Sequence, residues 1–105
     1  MTTKMTVNAG VCGMTSIITA NLSDDMMSVN IVIDSPCPMI RKMSPIEGSN
    51  PYEMVATPFT ENEIYIKAAE CIRHAACPVP SAIIKCAEAE AGLGLKKPVS
   101  MEFTE

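Results

Sequence analysis

Residues 15–33 read TSIITANLSDDMMSVNIVI and carry the clearest strand signal in the sequence. The runs 15–22 and 27–33 are rich in β-branched residues, which favour strands, and the SDD between them favours a turn. The stretch therefore predicts a β-hairpin. Because a hairpin with one apolar face must bury that face against other elements, it decides the fold class.

The expected register of the hairpin follows from the alternation of its side chains. With the two aspartates at the turn, Ala20 lies opposite Val29 and Ile18 opposite Ile31, so one face is consistently apolar. A shift of one residue would bring Thr19 onto that face instead. Extended to the open end of the hairpin, the register also places Cys12 opposite Cys37, with both thiols on the core side.

Helical patterns fill most of the chain after the hairpin. Prolines at first helical positions, a capping box formed by Thr60 and Glu63, and a C-terminal capping glycine at Gly92 set the expected bounds. The predicted helices cover residues 51–56, 60–76 and 77–91, and a short helical turn follows Cys37.

The C-terminal residues return to a strand pattern. Val99, Met101 and Phe103 alternate with polar residues, which predicts a final strand beside the hairpin. The predicted fold is a single α+β domain over residues 1–105, with the order β-β-α-α-α-β. It is a two-layer sandwich in which an antiparallel sheet of about three strands, the hairpin plus the C-terminal strand, packs against the helices.

Composition excludes several classes of function. The net charge is −4 and the few basic residues are scattered, so no basic surface is available for nucleic acid. No apolar run has the roughly 20 residues that a membrane-spanning helix needs. Five cysteines without an export signal indicate reduced thiols and a cytoplasmic protein rather than a disulfide framework.

Three of the cysteines form the strongest candidate site. Cys12 is flanked by Gly13, which permits close backbone approach, whereas Cys37 and Cys77 each precede a proline at a predicted helix start. Free N–H groups and the positive end of the helix dipole favour thiolates there. Because Ser, Thr, Asp and Asn cap helices better than Cys does, the repeated choice of cysteine points to a function.

These residues predict a soft-metal site. Three thiolates suit an iron–sulfur cluster or, as an alternative, zinc, with Cys12, Cys37 and Cys77 as ligands and His74 as a candidate fourth. The spacings match no standard ferredoxin or zinc-finger motif, so the prediction is geometric. It describes a binding protein more readily than an enzyme, because no catalytic residue can be assigned.

Other interpretations remain open from the sequence alone. Cysteines pack well in cores, and this is the simplest interpretation of Cys71 and Cys86. A thiol redox module could use a Cys12–Cys37 disulfide attacked by Cys77. A structural or adaptor domain could instead use a methionine-rich surface, since the chain has nine Met, and a hairpin edge could pair with a protein partner or form a homodimer.

The segments GVCGM, IDSPCPMI and HAACPVPSAIIKCAEAEAGLGL carry a resemblance that covers most of the chain. Through them the sequence resembles a family of small uncharacterised cysteine-containing proteins of anaerobic bacteria and archaea. The resemblance transfers no activity. An anaerobic source, which it implies, would suit an oxygen-sensitive cluster.

Overall fold

The computed structural model describes residues 2–105 and contains a four-stranded antiparallel sheet with four helices. In chain order the elements are β1 (Thr2–Asn8), β2 (Thr15–Leu22), β3 (Val29–Asp34), α1 (Pro38–Arg41), β4 (Ile46–Ser49), α2 (Pro51–Ala56), α3 (Glu63–Cys71) and α4 (Val79–Glu90). The strands lie in the sheet in the order β1-β2-β3-β4.

The predicted order β-β-α-α-α-β was wrong. The structure has the order β-β-β-α-β-α-α-α, and the sheet has four strands rather than about three. Strand β1 adds a hairpin before the predicted one, and β4 lies between α1 and α2, where no strand was predicted. Residues 95–105 belong to no strand, so the predicted C-terminal strand is not part of the sheet. The α+β class itself is retained.

The β1–β2 hairpin is closed by a glycine turn. Gly10 and Gly13 have positive φ values of 92° and 70°, which side chains rarely tolerate and glycine adopts freely. The Gly13 N–H donates to the Gly10 carbonyl at 2.8 Å, and the Ala9 N–H donates to the Met14 carbonyl at 3.2 Å. Cys12 therefore lies at the tip of a turn and not in a strand.

The β2–β3 hairpin has the predicted inward face but a different register. Ala20 pairs with Ile31 and Ile18 with Ile33, a shift of two residues from the expected partners. The connection between β2 and β3 is longer than the two-aspartate turn that was expected. It spans residues 23–28 and is closed by the Ser23 N–H, which donates to the Ser28 carbonyl at 2.8 Å. A two-residue shift preserves the face on which each side chain lies, so the apolar row survives. The register that placed Cys12 opposite Cys37 was wrong.

The helices begin and end at identifiable caps. Asn50 caps α2, with its side chain accepting from the N–H groups of Tyr52 and Glu53. The cap of α3 is Asn62, which accepts from the Ile64 N–H, and not the predicted Thr60. After α4, Gly92 has a φ of 75° and the Leu93 N–H reaches the Glu88 carbonyl at 3.0 Å, a Schellman motif.

The core lies between the sheet and the helices. Helix α4 covers β1 and β2, while α2 and α3 pack against α4. Fully buried residues from both layers meet there, among them Ile18, Ile31, Met43, Ile83 and Cys86. The opposite face of the sheet is exposed and mainly polar, with Thr and Asn side chains along β1 and β2. No helix in residues 2–105 is long and apolar enough to cross a membrane.

Candidate functional site

Cys37 is fixed at the junction of β3 and α1. It is the N-cap of α1, its carbonyl accepts from the Arg41 N–H at 3.0 Å, and its side chain is only 8% exposed. Its N–H donates to the hydroxyl of Ser35 at 3.1 Å, and the Ser16 hydroxyl donates to the same oxygen at 2.9 Å. This buried chain of hydrogen bonds ties Cys37 to strand β2.

The connection between α3 and α4, residues 72–78, packs against α1. The Arg73 N–H lies 3.4 Å from the Met39 sulfur, to which it donates, and Met39 is two residues beyond Cys37. Cys71 and Cys77, on either side of this connection, both pack half-buried against the core. Helix α1 and the connection thus bring three cysteine-bearing segments into one region of the fold.

Cys77 lies one residue before the helix cap. The structure assigns the N-cap of α4 to Pro78, whose carbonyl accepts from the Ala82 N–H at 3.1 Å. The Cys77 N–H is already bonded to the His74 carbonyl at 3.0 Å, and His74 itself is exposed. A tight turn over residues 74–77 therefore precedes α4, and the CPVP segment, residues 77–80, ends this turn and begins the helix.

Cys12 lies at the same end of the sheet as the other two predicted ligands. The Cys86 sulfur is near the Ile18 carbonyl, and Glu90 bonds to Leu22, so α4 runs in the same direction as β2. The start of α4 therefore lies toward the start of β2, next to the glycine turn. Asp34, at the end of β3, pairs with Ile17 at this same end.

The cysteines remain separate thiols in this arrangement. All five are free, with Cys12 exposed and Cys37 buried. Among residues 2–105, no three His, Cys, Asp or Glu side chains form a group that could hold a metal ion as they stand. The expected hairpin register supported both the metal and the redox interpretations, and both lose that support because Cys12 and Cys37 are not cross-strand partners.

A buried carboxylate is the feature that sequence reasoning missed. Glu90 lies within the predicted helix over 77–91, where a charged side chain is expected to be exposed, yet it is fully buried. One carboxylate oxygen accepts from the Thr3 hydroxyl at 2.8 Å and the other from the Leu22 N–H at 2.8 Å. The available signal was helical spacing, since Ile83, Cys86 and Glu90 fall on one face of α4. Glu90 joins the last turn of α4 to β1 and β2.

Cys86 is unsuited to binding metal or acting as a nucleophile. Its sulfur donates to the Thr3 carbonyl at 3.4 Å in a fully buried position. Burial raises the pKa of this thiol to about 11, and the nearby Glu90 carboxylate adds to the rise. A thiol with this pKa stays protonated at neutral pH, whereas thiolates are the reactive form.

The raised pKa of Cys86 predicts an alkaline loss of stability. Between pH 9.0, its ordinary pKa, and about 11, the unfolded chain releases the proton while the folded chain retains it. Ionisation then favours the unfolded state, by up to about 1.4 kcal/mol for each pH unit. Urea unfolding measured across this pH range should show a steeper decline for the wild type than for Cys86→Ala. Equal slopes would contradict the prediction.

Two surface clefts lie away from the cysteines. One, of about 410 Å³, lies beside β4 and α2 and is lined by Glu47, Ser49, Glu53, Glu61 and Glu63, among others. The other, of about 320 Å³, is lined partly by the edge-to-face ring pair of Phe59 and Tyr65. Both are open to solvent. In the first, the Ser49 hydroxyl donates to the Glu63 carboxylate at 3.0 Å.

The methionines do not form one binding surface. Met43 and Met54 are buried, and Met5, Met14 and Met39 are half-buried against the core. The exposed ones are Met26 and Met27, on the β2–β3 connection, and Met101 in the C-terminal segment. Most of the methionines described here therefore serve packing, as their adaptable side chains allow.

Comparison with known proteins places the chain in a family. A family model described as a family of unknown function, DUF6951, matches residues 3–103, which is nearly the whole chain. The chain belongs to DUF6951. No curated protein and no solved structure matches it. Membership of DUF6951 thus agrees with the resemblance to an uncharacterised family and transfers no activity.

Proposed function

We propose that this protein is a non-enzymatic domain that binds a soft metal, as an iron–sulfur cluster or as zinc, through the thiolates of Cys12, Cys37 and Cys77. His74 is the candidate fourth ligand. A cytoplasmic location would keep these thiols reduced. The anaerobic source implied by the sequence resemblance favours the cluster, since exposed clusters are sensitive to oxygen.

The observation that carries the proposal is the contact between α1 and the α3–α4 connection. The hydrogen bond of 3.4 Å from the Arg73 N–H to the Met39 sulfur joins the segment after Cys71 to the segment after Cys37. His74 and Cys77 belong to the same connection. Thiolate and imidazole ligands suit zinc and iron, so the donor types agree with the metals proposed.

The site assembles when the ligand binds. Because no group of three ligands is preformed among the described residues, metal binding must draw the side chains together. Cys12 is the most adaptable of them, at an exposed turn between Gly10 and Gly13. Cys37 supplies the fixed point, since its backbone is held by Ser35. Binding of a metal to such a site is coupled to ordering of the chain.

Metal content and ligand variants test the proposal. Protein purified without oxygen should contain zinc, or iron with acid-labile sulfide, near one centre per chain. Cys12→Ser, Cys37→Ser and Cys77→Ser should each weaken binding by more than about tenfold, because even outer-shell changes cost about 10–100-fold. Cobalt(II) titration gives the second readout, as thiolate ligation produces intense charge-transfer absorption. Serine also caps helices well, so Cys37→Ser preserves the start of α1.

The matched control is Cys86→Ala. It removes a cysteine on the buried face of α4 that is bonded to the Thr3 carbonyl, whereas Cys77 precedes the helix. This variant should be less stable but should bind metal as the wild type does. A wild-type protein without metal and without cobalt absorption, or equal binding by all four variants, would refute the proposal.

A further inference from the structure

The C-terminal segment, residues 98–105, has the pattern of a strand without a partner. Its side chains Val99, Met101 and Phe103 are 61%, 83% and 101% exposed, while polar residues alternate with them. Within the part of the chain that the structure describes, residues 98–105 form no backbone–backbone hydrogen bond. Exposed strands with an apolar face are uncommon because they pair readily.

Strand β1 offers a matching edge. It is the outermost strand of the sheet on its side, so one row of its backbone groups faces outward over residues Thr2–Asn8. On the helix-covered face, Met5 and Val7 are only half-buried at this edge. On the other face, Lys4 is exposed. The edge thus carries apolar side chains on one face and polar side chains on the other, where Lys4 is the only charged residue of the strand.

The two segments complement each other in one register. We propose that the C-terminal segment of one copy pairs antiparallel with the β1 edge of a second copy, with Glu102 opposite Lys4, so that two copies exchange these strands. Met101 then lies opposite Met5 and Val99 opposite Val7, all on the helix-covered face. Ser100 and Glu102 lie on the polar face, where cross-strand pairs of opposite charge are favourable.

The geometry favours a second copy over the chain's own edge. Helix α4 ends beside the start of β1, since Glu90 bonds to the Thr3 hydroxyl at 2.8 Å. A segment leaving α4 there would meet its own β1 in the parallel direction. The parallel register that pairs Glu102 with Lys4 puts Glu105 opposite Val7 on the apolar face. In the structure residues 95–105 are exposed throughout and do not pair with β1.

The expected dimer is two-fold symmetric, with a reciprocal exchange of the C-terminal segments. In a two-fold dimer each copy gives one C-terminal segment and receives one, so both edges are covered at once. Covering both β1 edges removes two exposed strand edges, which are otherwise prone to aggregation. The interaction is independent of the cysteine site and uses none of its residues.

The molecular mass in solution tests whether two copies exchange their C-terminal segments. Sedimentation equilibrium in reducing buffer with a chelator, which removes disulfide-linked and metal-linked dimers, should give a dimer for the full chain. A chain ending at residue 97 and the full-length variant Met101→Asp should both be monomers. A full-length monomer, or a dimer that both changes leave intact, would overturn the proposal.

Swapping the charges of Lys4 and Glu102 distinguishes pairing between two copies from pairing within one chain. Lys4→Glu and Glu102→Lys each place like charges together at both interfaces of their homodimer, which should raise its dissociation constant about tenfold. A mixture of the two variants restores opposite charges at both interfaces and should recover a heterodimer of wild-type affinity. If mixing restores nothing, while the double variant Lys4→Glu/Glu102→Lys regains wild-type stability as a monomer, the segment pairs within its own chain.

Discussion

Ile18→Ala should lower the free energy of unfolding by about 3 kcal/mol, within a range of about 2–5 kcal/mol for such core truncations. Ile18 is fully buried on the helix-covered face of β2, a central strand paired on both sides. Its neighbours across the sheet are Met5 on β1 and Ile33 on β3. Removing three carbons at this position leaves a cavity that hydrogen-bonded strands cannot collapse to fill.

The adjacent residue provides the control for Ile18. Ile17 has the same side chain and lies on the same strand, but it points to the exposed face and is 39% exposed. Ile17→Ala should cost about 1 kcal/mol or less, chiefly through strand propensity. Urea unfolding of the two variants gives both values. Equal losses would mean that the assigned faces of β2 are wrong.

Glu90→Ala should destabilise the protein by about 3 kcal/mol. The change leaves the Leu22 N–H and the Thr3 hydroxyl without their acceptor oxygens, each now at 2.8 Å. An unpaired buried polar group costs about 1–3 kcal/mol. Glu90→Gln should cost less, about 1 kcal/mol, because one amide oxygen still accepts from Leu22 and the amide N–H can donate to the Thr3 hydroxyl.

The control for Glu90 is a carboxylate of the same type on another helix. Glu70 is exposed on α3, and Glu70→Ala should change stability by no more than about 0.5 kcal/mol. Thr3→Val combined with Glu90→Ala should cost less than the two single changes added together, because both remove the same hydrogen bond. A Glu90→Ala variant as stable as Glu70→Ala would show that the carboxylate contributes nothing to the docking of α4.

Elements with strong local signals were predictable from the sequence. The helix over 51–56 was predicted with the bounds that the structure gives, because Asn50 and Pro51 together mark its start. The inward face of β2 was also correct, since alternation specifies the face regardless of the partner. The register was not, because the Asp25 side chain accepts from the Met27 N–H and supports a longer connection.

The edge strand β1 and the contacts between distant segments were harder to predict from the sequence. Strand β1 has only Met5 and Val7 as apolar residues. An edge strand needs fewer apolar residues than a central strand, so its sequence pattern is weaker. The segment 98–105 has the alternation of a strand, but alternation predicts a preference and does not supply a partner. Glu90 was missed because a charged residue is usually exposed, and its burial depends on Thr3, a residue distant in sequence.

Some features of the candidate site were also predictable from the sequence, and others were not. The sequence predicted the helix turn after Cys37 and a helix start near Cys77, because prolines mark both, but it extended the preceding helix to residue 76, whereas α3 ends at Cys71. The position of Cys12 depended on the hairpin register and on the glycine turn, which local patterns do not determine. The contact between α1 and the α3–α4 connection is long-range, so local patterns could not predict the Arg73–Met39 hydrogen bond.

Protection of individual cysteines from alkylation is the most direct test of the metal site. Reduced protein is treated with iodoacetamide, with and without saturating zinc, and each cysteine is followed by mass spectrometry. The proposal predicts that zinc slows alkylation of Cys12, Cys37 and Cys77 together, while Cys86 stays unreactive under both conditions. An exposed Cys12 that reacts equally fast with and without zinc, or protection that no two of these cysteines share, would contradict it.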